Sequence, residues 1–82
     1  MMILVDVQVP ALDKIYDFEL EEEKQTGQLI DDILYLIGRK EGLYVEKKSG
    51  IRLYAFGQER FLDEDKGLWQ QGVGDGERLI LV

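Results

Sequence analysis

The chain has 82 residues, a mass of 9.5 kDa and a net charge of −7, with ten basic residues against seventeen acidic ones. That length supports one hydrophobic core, and an apolar share of 45% is that of a folded domain, not of a disordered acidic tail. With no cysteine and no histidine there is no disulfide, thiolate nucleophile, iron–sulfur cluster, structural zinc site or imidazole base, and a serine–histidine catalytic device cannot be assembled.

Along the chain, Ile3, Val5, Val7 and Val9 alternate with Leu4, Asp6 and Gln8, the period of a half-buried strand. Pro10 ends it, because proline has no amide to give to a ladder. Alternation resumes at Tyr16, Phe18 and Leu20, with Asp17, Glu19 and Glu21 between, and the short Pro10–Lys14 segment predicts an antiparallel hairpin. The period then lengthens. Ile30, Ile33, Leu34 and Ile37 lie at helical spacing, and Leu29 and Leu36 widen the stripe. Thr26 is placed to cap that helix by accepting from a free amide. Asp31 and Asp32 are expected near its positive end, Arg39 and Lys40 near its negative end, with Gly42 as the stop.

A polar connection around Lys47, Lys48, Ser49 and Gly50 leads back to strand pattern. Ile51, Leu53 and Ala55 alternate with Arg52, Tyr54 and Phe56, and Gly57-Gln58 turns the chain into Arg60-Phe61-Leu62. Asp63 to Gly67 reads as a polar turn and Leu68 to Gly72 as no more than one helical turn. Gly74-Asp75-Gly76 turns again into a last strand, Glu77 to Val82, where Leu79 and Leu81 alternate with Ile80 and Val82. Hairpin, crossing helix and returning strands predict one α+β domain over residues 1–82. It is a β-grasp with a mixed sheet of four or five strands, one side wet and the other covered by the helix.

The second half, Ile51 to Gly57, Leu68, Val73 and Gly74-Asp75-Gly76-Glu77-Arg78-Leu79, resembles ubiquitin and its relatives, and the first half matches them in element order and length. Within that superfamily the chain is similar to the small bacterial YukD/EsaB proteins associated with type VII secretion. The resemblance implies a protein-interaction module acting as an adaptor or regulator of such a system. The likeness to ubiquitin carries ubiquitin's binding patch onto Tyr54, Ile80 and Val82, with Leu12 in the first hairpin loop as a further member. The lysine of common ubiquitin chains falls at Gln58 and the patch histidine at Ile80, both departures. Conjugating relatives and sulfur carriers act through a C-terminal Gly-Gly, and this sequence closes at Val82. Covalent chemistry is therefore not expected unless a tail has been trimmed. A domain excised from a larger protein and a trimmed modifier or sulfur carrier are the other readings.

The alternation reaches the same face independently. With Ile51, Leu53, Leu79 and Leu81 inward, Tyr54, Ile80 and Val82 point to solvent beside Arg52 and Arg78, an apolar patch rimmed by arginine. Isolated exposed apolar side chains are also ordinary, so the face is a candidate. Trp69 is either an exposed anchor or a plug at the sheet edge.

The acidic groups are read as solvated turns. Asp63-Glu64-Asp65 lacks the glycine and distal glutamate of a calcium loop, and Gly72 to Gly76 opens a strand and offers no helix N-terminus to phosphate. No catalytic residue, cofactor or metal is therefore assigned, and paired carboxylates in so small a chain have little room for the cleft an enzyme needs. Scattered Lys and Arg under an acidic net charge argue against nucleic acid, with Arg39-Lys40 and Lys47-Lys48 as the adjacent pairs. No apolar run approaches the roughly 18 residues of a membrane span, and Met2 to Val5 is broken by Asp6 without a basic flank, so a cytoplasmic protein is expected. Asp17 and Glu19 on the edge strand discourage pairing between copies, which predicts a monomer or a weak dimer through the Tyr54 face.

Overall fold

In a computed structural model, residues 1–43 and 50–82 are described. The sequence-based connection at Lys47, Lys48 and Ser49 lies outside them. Strand β1 (Met2–Val9) runs into a single 3₁₀ turn at Pro10–Leu12 and returns as β2 (Lys14–Glu21). Helix α1 (Thr26–Glu41) follows, then β3 (Leu53–Ala55), a 3₁₀ turn at Phe56–Gln58, β4 (Arg60–Phe61), a 3₁₀ turn at Trp69–Gln71 and β5 (Arg78–Leu81). The strands form one mixed sheet in the order β2-β1-β5-β3-β4, β1 and β5 parallel and the other neighbours antiparallel. This is the β-grasp arrangement that the alternating and helical periods predict.

The hairpin closes because Asp13 takes a left-handed conformation (φ 53°), which a short polar residue tolerates, and its amide returns to Pro10 O. One face of β1 and β2 (Ile3, Val5, Val7, Val9, Tyr16, Phe18 and Leu20) packs under Leu29, Ile30, Ile33, Leu34 and Ile37 of α1, with Leu53, Ala55, Leu79 and Leu81 completing the core. Helix α1 stops at Gly42, whose φ of 67° lets its own amide and that of Leu43 return to Gly38 O.

Four details differ from the sequence-based expectation. Gln25, not Thr26, precedes the helix, and Thr26 makes no cap. Its hydroxyl is fully buried and donates to Lys66 O at 2.7 Å. Asp31 and Asp32 fall in the second turn, beyond the reach of the helix's free amides, and Asp32 instead binds Lys24 at 2.6 Å. The third strand ends at Ala55, since Phe56 already enters a 3₁₀ turn closed by Glu59 at φ 54°. The last strand starts at Arg78, not Glu77, because Glu77 closes the preceding turn by accepting from Gly74 N at 2.6 Å.

Candidate protein-docking face

The sheet face turned away from α1 is set by register. Reading across the strands, Ile15 pairs with Gln8, Gln8 with Ile80, Ile80 with Tyr54, and Tyr54 with Phe61. One continuous row, apolar except at Gln8, thus crosses all five strands. Val82 lies one step beyond Ile80 on the same face, and its amide and carbonyl exchange hydrogen bonds with Arg52 at 2.9 and 2.6 Å. The Arg52 guanidinium lies 3.8 Å from the centroid of the Phe61 ring, which meets Tyr54 edge-on at 5.1 Å. Arg52, Phe61 and Tyr54 therefore form one stack in which each ring fixes its neighbour, a contact with a specific geometry as well as buried area.

Of the residues singled out from the sequence, Arg52, Tyr54, Ile80 and Val82 come together on this face. Leu12 stands apart from the row, partly exposed in the Pro10–Leu12 turn, at the end of the sheet toward which β1 and β5 both run. Trp69 is on another surface. Its side chain is 67% exposed on the turn after Leu68, so it does not plug the sheet edge. Phe61 and Ile15 belong to the row and were not singled out. Both were within reach of the alternation, Phe61 as the outward partner of buried Leu62 and Ile15 as the outward residue before Tyr16.

The hairpin half of the same face is acidic. Asp6 and Asp17 stand opposite each other across β1 and β2, and a side-chain hydrogen bond to Asp6, with the repulsion of its charge, holds the Asp17 carboxyl above the ordinary carboxylate range. Arg78 touches Asp6 from the other side at 3.6 Å, with both groups well hydrated. The face is thus divided: an aromatic–arginine half on β3, β4 and β5, and an acidic half on β1 and β2.

The acidic and glycine-rich loops, read from the sequence as turns and not as ion sites, are held by the chain's own hydrogen bonds. Asp63 Oδ1 accepts from Asp65 N at 2.9 Å, and Asp75 Oδ1 accepts from Leu4 N at 2.8 Å, latching the Gly74–Gly76 turn to β1. Among the described residues no group of three or more carboxylates is arranged to hold a metal ion, and no helix is long and apolar enough to cross a membrane.

The model of the WXG100 protein secretion system (Wss) protein YukD matches residues 4–81. The chain belongs to the YukD family. No curated protein sequence matches it. Among solved structures, this YukD-family chain is similar to the EccD5 ubiquitin-like domain from Mycobacterium xenopi, at TM-score 0.78 and 22% identity over 100% of this chain and 93% of that one. It is likewise similar to the ubiquitin-like domain of the Mycobacterium tuberculosis type VII secretion system protein EccD1, at 0.76 and 20% identity over 100% and 98%. A chain of the MycP5-free ESX-5 inner membrane complex aligns at 0.76 and 20% identity, covering 99% of this chain and 20% of that one. These likenesses establish the ubiquitin-like fold.

Proposed function

We propose that this YukD-family chain is a non-enzymatic, cytoplasmic protein-interaction module, an adaptor or regulator of a bacterial type VII secretion apparatus. It docks on a protein of that apparatus through Arg52, Tyr54, Phe61, Ile80 and Val82. The observation that carries the docking face is the cross-strand row from Ile15 to Phe61 with Arg52 stacked on its end. It is an apolar strip prearranged on strands, polar at its rim, and held by backbone pairing. Family membership supports the link to a secretion system. Binding is non-covalent in this reading, and the acidic hairpin half steers a partner's approach.

The test is capture from a lysate of the source organism with tagged wild-type protein beside Tyr54→Asp. Membrane-complex proteins of the secretion apparatus, retained by wild type and lost by an otherwise folded Tyr54→Asp, are the expected outcome. Equal capture by both baits would remove the face from the proposal. A list without secretion components would remove the role.

A second reading has one observation in its favour, since the matching domain in the ESX-5 complex is a fifth of a longer chain. A ubiquitin-like domain of a larger polypeptide would show itself as an endogenous product heavier than 9.5 kDa by intact mass.

A further inference from the structure

The end of the molecule where β2 gives way to α1 is made of two segments far apart in sequence and joined along their backbones. Thr26 N donates to Lys66 O at 2.9 Å, Gly27 N to Glu64 O at 3.0 Å and Trp69 N to Glu22 O at 3.0 Å, and Gln25 bridges Gly67. The approach is so close that a Cβ on Gly67 would lie 2.7 Å from Glu22 O. Beneath, Leu68 is fully buried, and its carbonyl accepts from Gln71 N at 3.1 Å and Val73 N at 3.0 Å. The turn carrying Trp69 is fixed on both sides.

Its indole is not part of that fixed structure. Trp69 is 67% exposed, and among the described residues it makes no ring stacking and its indole N–H has no hydrogen-bond partner. An aromatic held out on a rigid turn loses little conformational freedom when something covers it, which is the property of an interface anchor.

The charge of the joined segments indicates what covers it. Glu22 and Glu23 on one, with Asp63, Glu64 and Asp65 on the other, outnumber Lys24 and Lys66, and Lys24 is already bound to Asp32 at 2.6 Å. A cation above an indole is attracted by the ring, and acidic surroundings raise its local concentration. The arginine-bearing half of the sheet face has the opposite local character.

We propose that Trp69 and the acidic segments around it form a second docking surface, for an arginine- or lysine-bearing segment of a protein partner whose cationic side chain lies over the indole. The surface is independent of the Tyr54 face, so a chain carrying both can join two partners.

Trp69 is the sole tryptophan, so its fluorescence reports on this surface alone. The probe is a short unstructured peptide with arginine at every third position, titrated at low salt beside the same peptide with each arginine replaced by glutamate. The arginine peptide should quench or shift the emission saturably, weakening as salt rises, and the glutamate peptide should leave it unchanged. By calorimetry Trp69→Ala should keep the wild-type unfolding temperature and lose about tenfold in affinity, a loss of the size that truncating an aromatic anchor causes. Trp69→Phe should recover part of it, and Tyr54→Asp should bind as wild type. Equal binding by Trp69→Ala would overturn the anchor and leave charge attraction alone. No saturable response, or an equal response to the glutamate peptide, would overturn the surface itself.

Discussion

Gln71 is the polar residue on which the joined end depends. It is buried, and its Nε2 donates within 3.0–3.3 Å of Asp63 O, Thr26 Oγ1, Lys66 O and Gly67 O, while its Oε1 accepts from Asp63 N at 2.6 Å. One amide, with two hydrogens shared among these acceptors, thus ties the 63–67 loop to the start of α1. Replacing it with leucine keeps the bulk and removes the side-chain partners of Gly67 O and the Asp63 amide, while Lys66 O keeps Thr26 and Asp63 O keeps Lys66 N, at about 1–3 kcal/mol for each group left unsatisfied. Gln71→Leu should therefore lower stability by about 2–4 kcal/mol in urea unfolding, within the range of a broken buried network. A loss below about 1 kcal/mol would mean that the loop finds other partners. Nothing in the sequence marks this residue, because a glutamine between Gln70 and Gly72 reads as solvated turn. Its value arises from Thr26, 45 residues away. The same distance explains Thr26 itself: local rules predict a cap, and a tertiary acceptor takes the hydroxyl instead.

At the scale of elements, periodicity and turn chemistry carry most of the fold. The strict alternation in β1 and β2, the stripe on α1 and Gly42 place these elements to within a few residues. Less legible are the short strands, since β3 and β4 have three and two residues and the turn between them competes with their pattern. The exposed row was legible one strand at a time, through Tyr54, Ile80 and Val82, while alternation turns Phe61 and Ile15 outward and only the register puts them in the same row. Register also creates the Asp6–Asp17 conflict, in which like charges face each other across the hairpin and oppose pairing. The Asp17 carboxyl is raised in the folded chain, so the folded state holds its proton more tightly than the unfolded one. Its contribution to stability is complete below the ordinary carboxylate range and is lost as pH rises through the raised value. Asp17→Asn removes that loss and leaves an amide able to donate to Asp6. The variant should melt above wild type at neutral pH, and the gap should close in acid. A gap of the same size at both pH values would mean that the pair is not its source.

At the scale of the molecule, the sheet has one long free edge among the described residues, and its charges decide how the chain meets its own copies. Asp6 N donates to Glu77 O and Leu4 O accepts from Gly76 N, so the even-numbered residues of β1 turn their backbone toward β5 and the odd-numbered ones toward β2. In the paired register the amides and carbonyls of Ile15, Asp17 and Glu19 then face outward along β2, the strand at the end of the sheet. An unpaired row of this kind is a template for a second strand. In an antiparallel dimer across β2, Asp17 and Glu19 of one copy would lie beside the same carboxylates of the other, in a chain already at −7. Among the described residues no element covers this edge, so the guard is charge repulsion, which is removable. Wild type should sediment as a monomer at neutral pH across the concentrations used for binding. The double variant Asp17→Val, Glu19→Val, which raises strand preference and removes four carboxylates from that contact, should associate at the same concentrations, and wild type should begin to do so in acid as its carboxylates are neutralised. If the double variant stays monomeric, the edge is protected by its twist or by the hairpin turn, and the acidic half of the sheet face is left with partner steering as its role.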